Sequence, residues 1–146
     1  MTAAQRAFYE RDVPRIVNPP ELARPVGFAH GMAAQGELLA LGGQIGWDGD
    51  SRIVSPEMGA QFAQALKNLV AVVRAAGGLP EDIIQLRVYV TDKQLYIAAR
   101  QEIGVAWRAL LGRHFPAMAL VEVQDLLEEG ALVEIDGMAV IPGAQP

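Results

Sequence analysis

Two carboxylates stand inside apolar, strand-like runs in the last third of this 146-residue chain: Glu122 in AMALVEV and Glu134 in LVEIDGMAV. Side chains alternate across a strand, so Met118, Leu120 and Glu122 share one face of the first run. Leu132, Glu134, Asp136 and Met138 share one face of the second. A carboxylate among apolar strand residues is costly to bury without a partner. Each of the two therefore reaches solvent, joins an ion pair at a subunit interface, or sits in a cleft where a raised pKa lets it move protons. His30, His114 and Arg113 are the groups available to work beside them, and both histidines also read as structural or solvated.

Other chemistries lack their parts. The chain has no cysteine, which excludes disulfides, thiolate catalysis and cysteine zinc sites. Its serines, Ser51 and Ser55, fall in a turn and at a helix start, and no G-x-S-x-G occurs. Two histidines cannot build a multi-histidine metal centre. Trp47-Asp48-Gly49-Asp50 begins like a calcium loop, but Arg52 takes the third ligand position and no glutamate closes the loop, so no metal is expected. Neither G-x-G-x-x-G nor a P-loop is present. A net charge of −5 with scattered basic residues argues against nucleic acid. No apolar run approaches the ~18 residues of a membrane span, so a cytoplasmic protein is expected.

The elements that must position the carboxylates follow from punctuation and period. Residues 1–26 show no core period and are interrupted by Pro14, Pro19, Pro20 and Pro25. They read as a helical or disordered lead followed by an extended arm. A first strand over 27–34, weakened by Gly31, a turn at Gln35-Gly36 and a second strand over 38–44 make a hairpin. Gly42 and Gly43 mark either a bulge or a close approach by a ligand or another backbone. Ser55-Pro56-Glu57 opens a helix with Ser55 as N-cap, and Met58, Phe62, Ala65, Leu66, Leu69, Val70 and Val73 form its buried stripe. Gly77-Gly78 ends it.

Residues 85–90 alternate, with Leu86, Val88 and Val90 inward. Asp92 caps a second helix over 93–111, with Leu95, Ala99, Ile103, Ala106 and Leu110 buried. The order β-β-α-β-α-β-β is an α+β sandwich, two helices on one face of a mixed sheet, in one domain at 27–142. The other sheet face also carries Leu, Met and Val, so we expect a closed homo-oligomer with small-molecule sites at its seams.

The pieces GFAHGM, LGGQIG, AAGG with LPEDI after it, LRVYVTD, HFPAM with LVEV, and GALVEIDGMAV, in this order, resemble the reactive intermediate deaminase family (Rid, YjgF-like). The resemblance covers residues 27–140. It implies a chorismate-mutase-like trimer whose sheets form a central barrel with three inter-subunit clefts. It also implies cofactor-free hydrolysis of enamines and imines, such as 2-aminoacrylate and its imine tautomer, to ammonia and a 2-keto acid.

The chain departs from that pattern at three places. The Pro-x-Arg segment, whose arginine pairs with a substrate carboxylate in active members, reads Pro116-Ala117-Met118. The first-strand tyrosine falls on Phe28, and the serine before Gly-Gln falls on Gly42. The last-strand glutamate, assigned to placing or activating water, is retained as Glu134. The resemblance therefore assigns catalysis to Glu134 and substrate contact to Phe28, His30, Gly42, Gly43, Met118 and Leu120. Three readings follow: a cleft redirected to a different small molecule, less anionic and more apolar, an ordinary imine deaminase with Arg113 or Arg24 as substitute, and a non-enzymatic binding or chaperone-like trimer. Acidity gives no support to a ribonuclease role.

Overall fold

The computed structural model of the chain describes residues 2–3 and 12–143; the helical or disordered lead expected at the N-terminus falls largely outside them. A short ribbon pairs β1 (Arg15–Val17) antiparallel with β2 (Gly31–Ala33), Ile16 lying opposite Met32. The main sheet contains β3 (Glu37–Ile45), β4 (Ile83–Val90), β5 (Ala117–Glu122) and β6 (Val133–Ile141). Their order across the sheet is β3-β6-β4-β5, with β4 and β5 parallel and the other neighbours antiparallel. A parallel pair needs a crossover, and the helical segment between β4 and β5 supplies it. The sheet is thus mixed and the fold is α+β, as expected.

The first expected strand does not form a hairpin with the second. Gly31–Ala33 pairs with the arm, and β3 pairs with β6 instead. The choice is physical: β3 buries Leu41 beside β6, whereas β2 is three residues long and partly exposed. Strand pairing follows what each face can bury, so adjacency in sequence is overruled.

α1 (Met58–Ala75) lays Met58, Phe62, Ala65, Leu66, Leu69, Val70 and Val73 against the sheet, where Leu86, Val88, Val133, Ile135 and Ala139 meet them. Gly77 adopts a left-handed φ of 85°, and the Gly78 N–H returns to the Val73 carbonyl, closing the helix end. The start differs from expectation. Ser55 Oγ accepts from the Glu57 N–H at 3.0 Å, and Glu57 becomes the cap position without a side-chain bond. Ser55 therefore shapes the turn before the helix.

The second helix is two: α2 (Lys93–Ala98) and α3 (Arg100–Leu111), separated at Ala99, where ψ falls to 6°. Asp92 caps α2 as expected, accepting from the N–H groups of Gln94 and Leu95. The break rephases the buried stripe to Ile103, Trp107 and Leu111 and leaves Leu95 exposed. No helix among the described residues is long and apolar enough to cross a membrane.

One buried polar side chain fixes the approach to β6. Gln61, fully buried on α1, donates to the carbonyls of Ser55 and Gly130 and accepts from the Leu132 N–H, all at 2.8–2.9 Å. All three bonds go to backbone, so the loop ahead of β6 is held in register against the helix.

Candidate functional site

The helices cover one face of the main sheet and leave the other open. Val133, Ile135 and Ala139 of β6 turn to the helices, which sends Glu134, Asp136 and Met138 to the open face. Arg87 and Tyr89 of β4 lie directly across from Asp136 and Glu134, so four polar side chains gather at the middle of that face. Arg87 Nε donates to Asp136 Oδ1 at 2.7 Å and Nη2 to Oδ2 at 3.2 Å, a bidentate pair. Tyr89 donates its hydroxyl to Asp136 Oδ2 at 3.3 Å. Desolvation, then the adjacent Asp136 charge, pushes the Tyr89 phenol above its ordinary value, and the Asp136 hydrogen bond raises Arg87.

Glu134 is half-buried and lies under the β3 backbone at the glycine pair. Register slips there: Leu41 faces Gly137 while Gln44 faces Ile135, so Gly42 and Gly43 bulge opposite Asp136. A Cβ on Gly43 would stand 2.5 Å from Glu134 Oε1, whereas one on Gly42 would meet nothing within 4 Å. The two readings of the glycine pair, bulge and close approach, are thus both realised. The bulge is the means and Gly43 is the residue at the approach.

The other carboxylate has a different task. Glu122 is exposed, and its Oε1 accepts from the Lys93 N–H at 2.9 Å, at the first residue of α2. Beside the positive end of that short helix it completes the cap begun by Asp92. The Glu122–Glu134 pair is therefore not a site within one protomer.

Phe28 and His30 run along the outer edge of β5. Ala29 between them forms a parallel bridge with Ala117, and its N–H donates to the Pro116 carbonyl at 3.1 Å. The two rings meet edge to face at 5.4 Å, and the His30 ring donates to the Ala23 carbonyl at 2.7 Å. His114 is structural: its ring bonds the Ile83 carbonyl at 2.6 Å while its own carbonyl accepts from the Trp107 indole at 3.0 Å. Arg24 and Arg113 are exposed.

Met118 and Leu120 lie across from Leu86 and Val88 and pack against the core on the helix side. Glu134 is aligned with Tyr89 and, through it, with Val121, three residues beyond Met118. At about 3.3 Å per residue and 4.8 Å per strand, Glu134 and Met118 are roughly 14 Å apart as well as on opposite faces. One protomer brings together Glu134 and Gly43, and separately Phe28, His30 and the start of β5, but not the two groups. Concavities of about 660, 420 and 240 Å³ occur elsewhere, on the outer side of α3, beside the β1–β2 ribbon, and between α1 and α2. Among the described residues, no cluster of three or more histidines and carboxylates is arranged to hold a metal. Asp48, the first acid of the calcium-like turn, accepts the N–H groups of Arg52 and Asp50. These hold its carboxyl below the usual range and explain the motif as a turn.

The Arg87–Asp136–Tyr89 cluster was missed from sequence. Its trace there was opposite charges at outward positions of two alternating strands, unreadable until the strand order set β4 beside β6.

The sequence profile of the endoribonuclease L-PSP family matches residues 21–141. A 2-iminobutanoate/2-iminopropanoate deaminase of Salmonella typhimurium is 32% identical over 108 residues, covering 72% of this chain and 80% of that protein. A RutC family protein of Synechocystis is 32% identical over 136 residues, 88% of this chain and 97% of its own. Among solved structures, the Rid-family protein YyfB of Yersinia pestis superposes with a TM-score of 0.75 at 30% identity, covering 88% of this chain and 98% of that one.

Proposed function

We propose, from the premise that this chain belongs to the endoribonuclease L-PSP family (Rid, YjgF-like), that it binds and hydrolyses a small enamine or imine in a cleft between subunits. Glu134 is the catalytic group. Relatives named as imine deaminases support the reaction class. The observation that carries the reading is the placement of Glu134: half-buried on the uncovered sheet face, with its carboxylate against the Gly43 backbone. A carboxylate so placed can accept a proton from water as the oxygen adds to the C=N carbon. It returns that proton to nitrogen, then takes the carbinolamine hydroxyl proton and passes it on as the carbonyl forms, the C–N bond breaks and ammonia leaves. No cofactor enters this sequence of steps.

The cleft needs a second copy. Phe28, His30, Met118 and Leu120 are assigned by the resemblance to substrate contact, yet in one protomer Leu120 lies roughly 10 Å and Met118 roughly 14 Å from Glu134, and Phe28 and His30 lie one strand further out. A homotrimer closing the open sheet faces into a barrel would set one copy's Glu134 opposite its neighbour's β5 edge. Exposed Leu38 and Val121 on the uncovered face favour such closure. Met118 stands at the arginine position and offers no charge to a substrate carboxylate. In the alternative reading, an ordinary imine deaminase, exposed Arg113 or Arg24 would take its place.

Imines generated in situ by amine and amino-acid oxidases test the reading, with ammonia release followed for wild type and Glu134→Gln. Loss of turnover with an intact trimer by sedimentation is expected. Equal rates would remove Glu134 from the mechanism, and loss of the trimer alone would make it an interface ion-pair residue.

A further inference from the structure

The uncovered sheet face has a charge balance that bears on what it can hold. At its centre β6 presents Glu134 and Asp136, β4 presents Arg87 with Tyr89, and the β5 positions on that face are Ala117, Ala119 and Val121. Arg87 is the one cation on these strands, and both Asp136 oxygens take its N–H groups. That pair cancels. The Tyr89 hydroxyl gives its proton to the same carboxylate, so it too is turned toward Asp136. Glu134 has no cation within ion-pair distance among the described residues, and what covers it is glycine backbone without a side chain. From its own protomer, a ligand resting on Glu134 therefore meets one uncompensated negative charge.

We infer that the ligand of the Glu134 site is a small cationic imine or amine bearing no carboxylate; the inference rests on Glu134 being the site residue, as proposed above. An imine derived from an amino acid would bring its carboxylate beside Glu134 and Asp136, with Arg87 already engaged. Like charges at contact distance oppose binding in a partly desolvated site. An iminium derived from a monoamine carries a single positive charge and two N–H donors, which Glu134 accepts. Its hydrolysis balances without a redox partner: R–CH=NH2⁺ and H2O give R–CHO and NH4⁺. A C–O bond forms, the C–N bond breaks, and both water protons end on nitrogen: Glu134 carries the first as oxygen adds and the second, from the carbinolamine hydroxyl, as the carbonyl forms.

The test is calorimetric binding of 1-aminopropane and of 2-aminobutanoate, which differ by the carboxylate alone, to the full chain. Binding of 1-aminopropane about tenfold tighter is expected, with loss of that preference in Glu134→Gln. Arg87→Gln, which leaves Asp136 unbalanced, is expected to tighten amine binding further. Equal or tighter binding of 2-aminobutanoate would overturn the inference, as would absence of amine binding. So would weaker amine binding in Arg87→Gln, because an unbalanced Asp136 should strengthen the hold on an ammonium. Turnover is read separately, comparing imines made by amine oxidase and amino-acid oxidase. Amine preference in binding without turnover would keep the ligand class and remove the hydrolase reading. Turnover preferring amino-acid imines would do the reverse.

Discussion

Replacing Gly43 with alanine separates the position of the Glu134 carboxylate from the stability of the fold. The φ of Gly43 lies outside the left-handed region, so alanine is admitted by the backbone. Its methyl, however, would sit 2.5 Å from Oε1, 3.0 Å from Cδ and 3.2 Å from Cγ of Glu134. Ordinary contact begins at 3.4 Å, so the carboxylate must retreat by about 0.9 Å. The atoms met belong to a flexible side chain and Gly43 is exposed, so the cost in stability is about 1 kcal/mol or less. A displacement near 1 Å at a proton-transferring group costs on the order of 10²-fold in rate. Gly42→Ala, whose methyl meets nothing within 4 Å, is the matched control for any effect of stiffening the bulge. Thermal melts of both variants should stay close to wild type, while imine hydrolysis falls in Gly43→Ala. Wild-type kcat in Gly43→Ala would refute the placement of the carboxylate, and an equal loss of stability in both variants would refute the contact as its cause.

Other expectations follow from the same geometry. Gln61→Leu keeps the volume but strands the Leu132 N–H and the carbonyls of Ser55 and Gly130, so urea unfolding should show a loss of about 2–4 kcal/mol. A change below about 0.5 kcal/mol would mean that water replaces the side chain there. Asp92→Ala removes the acceptor for two N–H groups at the start of α2 and should cost about 1 kcal/mol by the same measurement, with Glu122 moderating the loss. Tyr89 and Tyr96 both have phenols raised, by desolvation first. The folded state holds their protons more tightly than the unfolded one. Their contribution is therefore full below the ordinary tyrosine value of about 10 and is lost as pH rises through the folded values. Absorbance titration should show ionisation displaced upward, and Tyr96→Phe should flatten the alkaline fall in stability.

The fold was legible wherever a single segment decides its own structure. The α1 stripe from Met58 to Val73, the alternation of β4 and β6, the Asp92 cap and the Gly77 stop all follow from period and capping chemistry local to the residues concerned. What escaped was pairwise. Gly31–Ala33 had two candidate partners, and only the burial available to β3 beside β6 decided between them. Glu122 looked equivalent to Glu134 in its run, but the crossover delivers the bare start of α2 to it, and an unsatisfied N–H claims the carboxylate. Nothing in residues 93–111 announces the break at Ala99, since alanine is a helix former, and the shifted stripe follows from that break. The site was legible in part: Glu134 and Gly43 meet as a glycine-backed carboxylate. The bidentate pair beside them exists only because a later strand is inserted between earlier ones.

That insertion also bears on how the molecule is made. β6 follows all the other strands in the chain, yet it is an inner strand, flanked by β3 and β4. A nascent polypeptide on the ribosome therefore holds β3 and the β4–β5 pair with no template to join them, and with two hydrogen-bonding edges open, until β6 emerges. Assembly of the sheet is a closing step rather than a progressive one. A chain truncated before Val133 should be an aggregation-prone fragment instead of a shorter version of the protein.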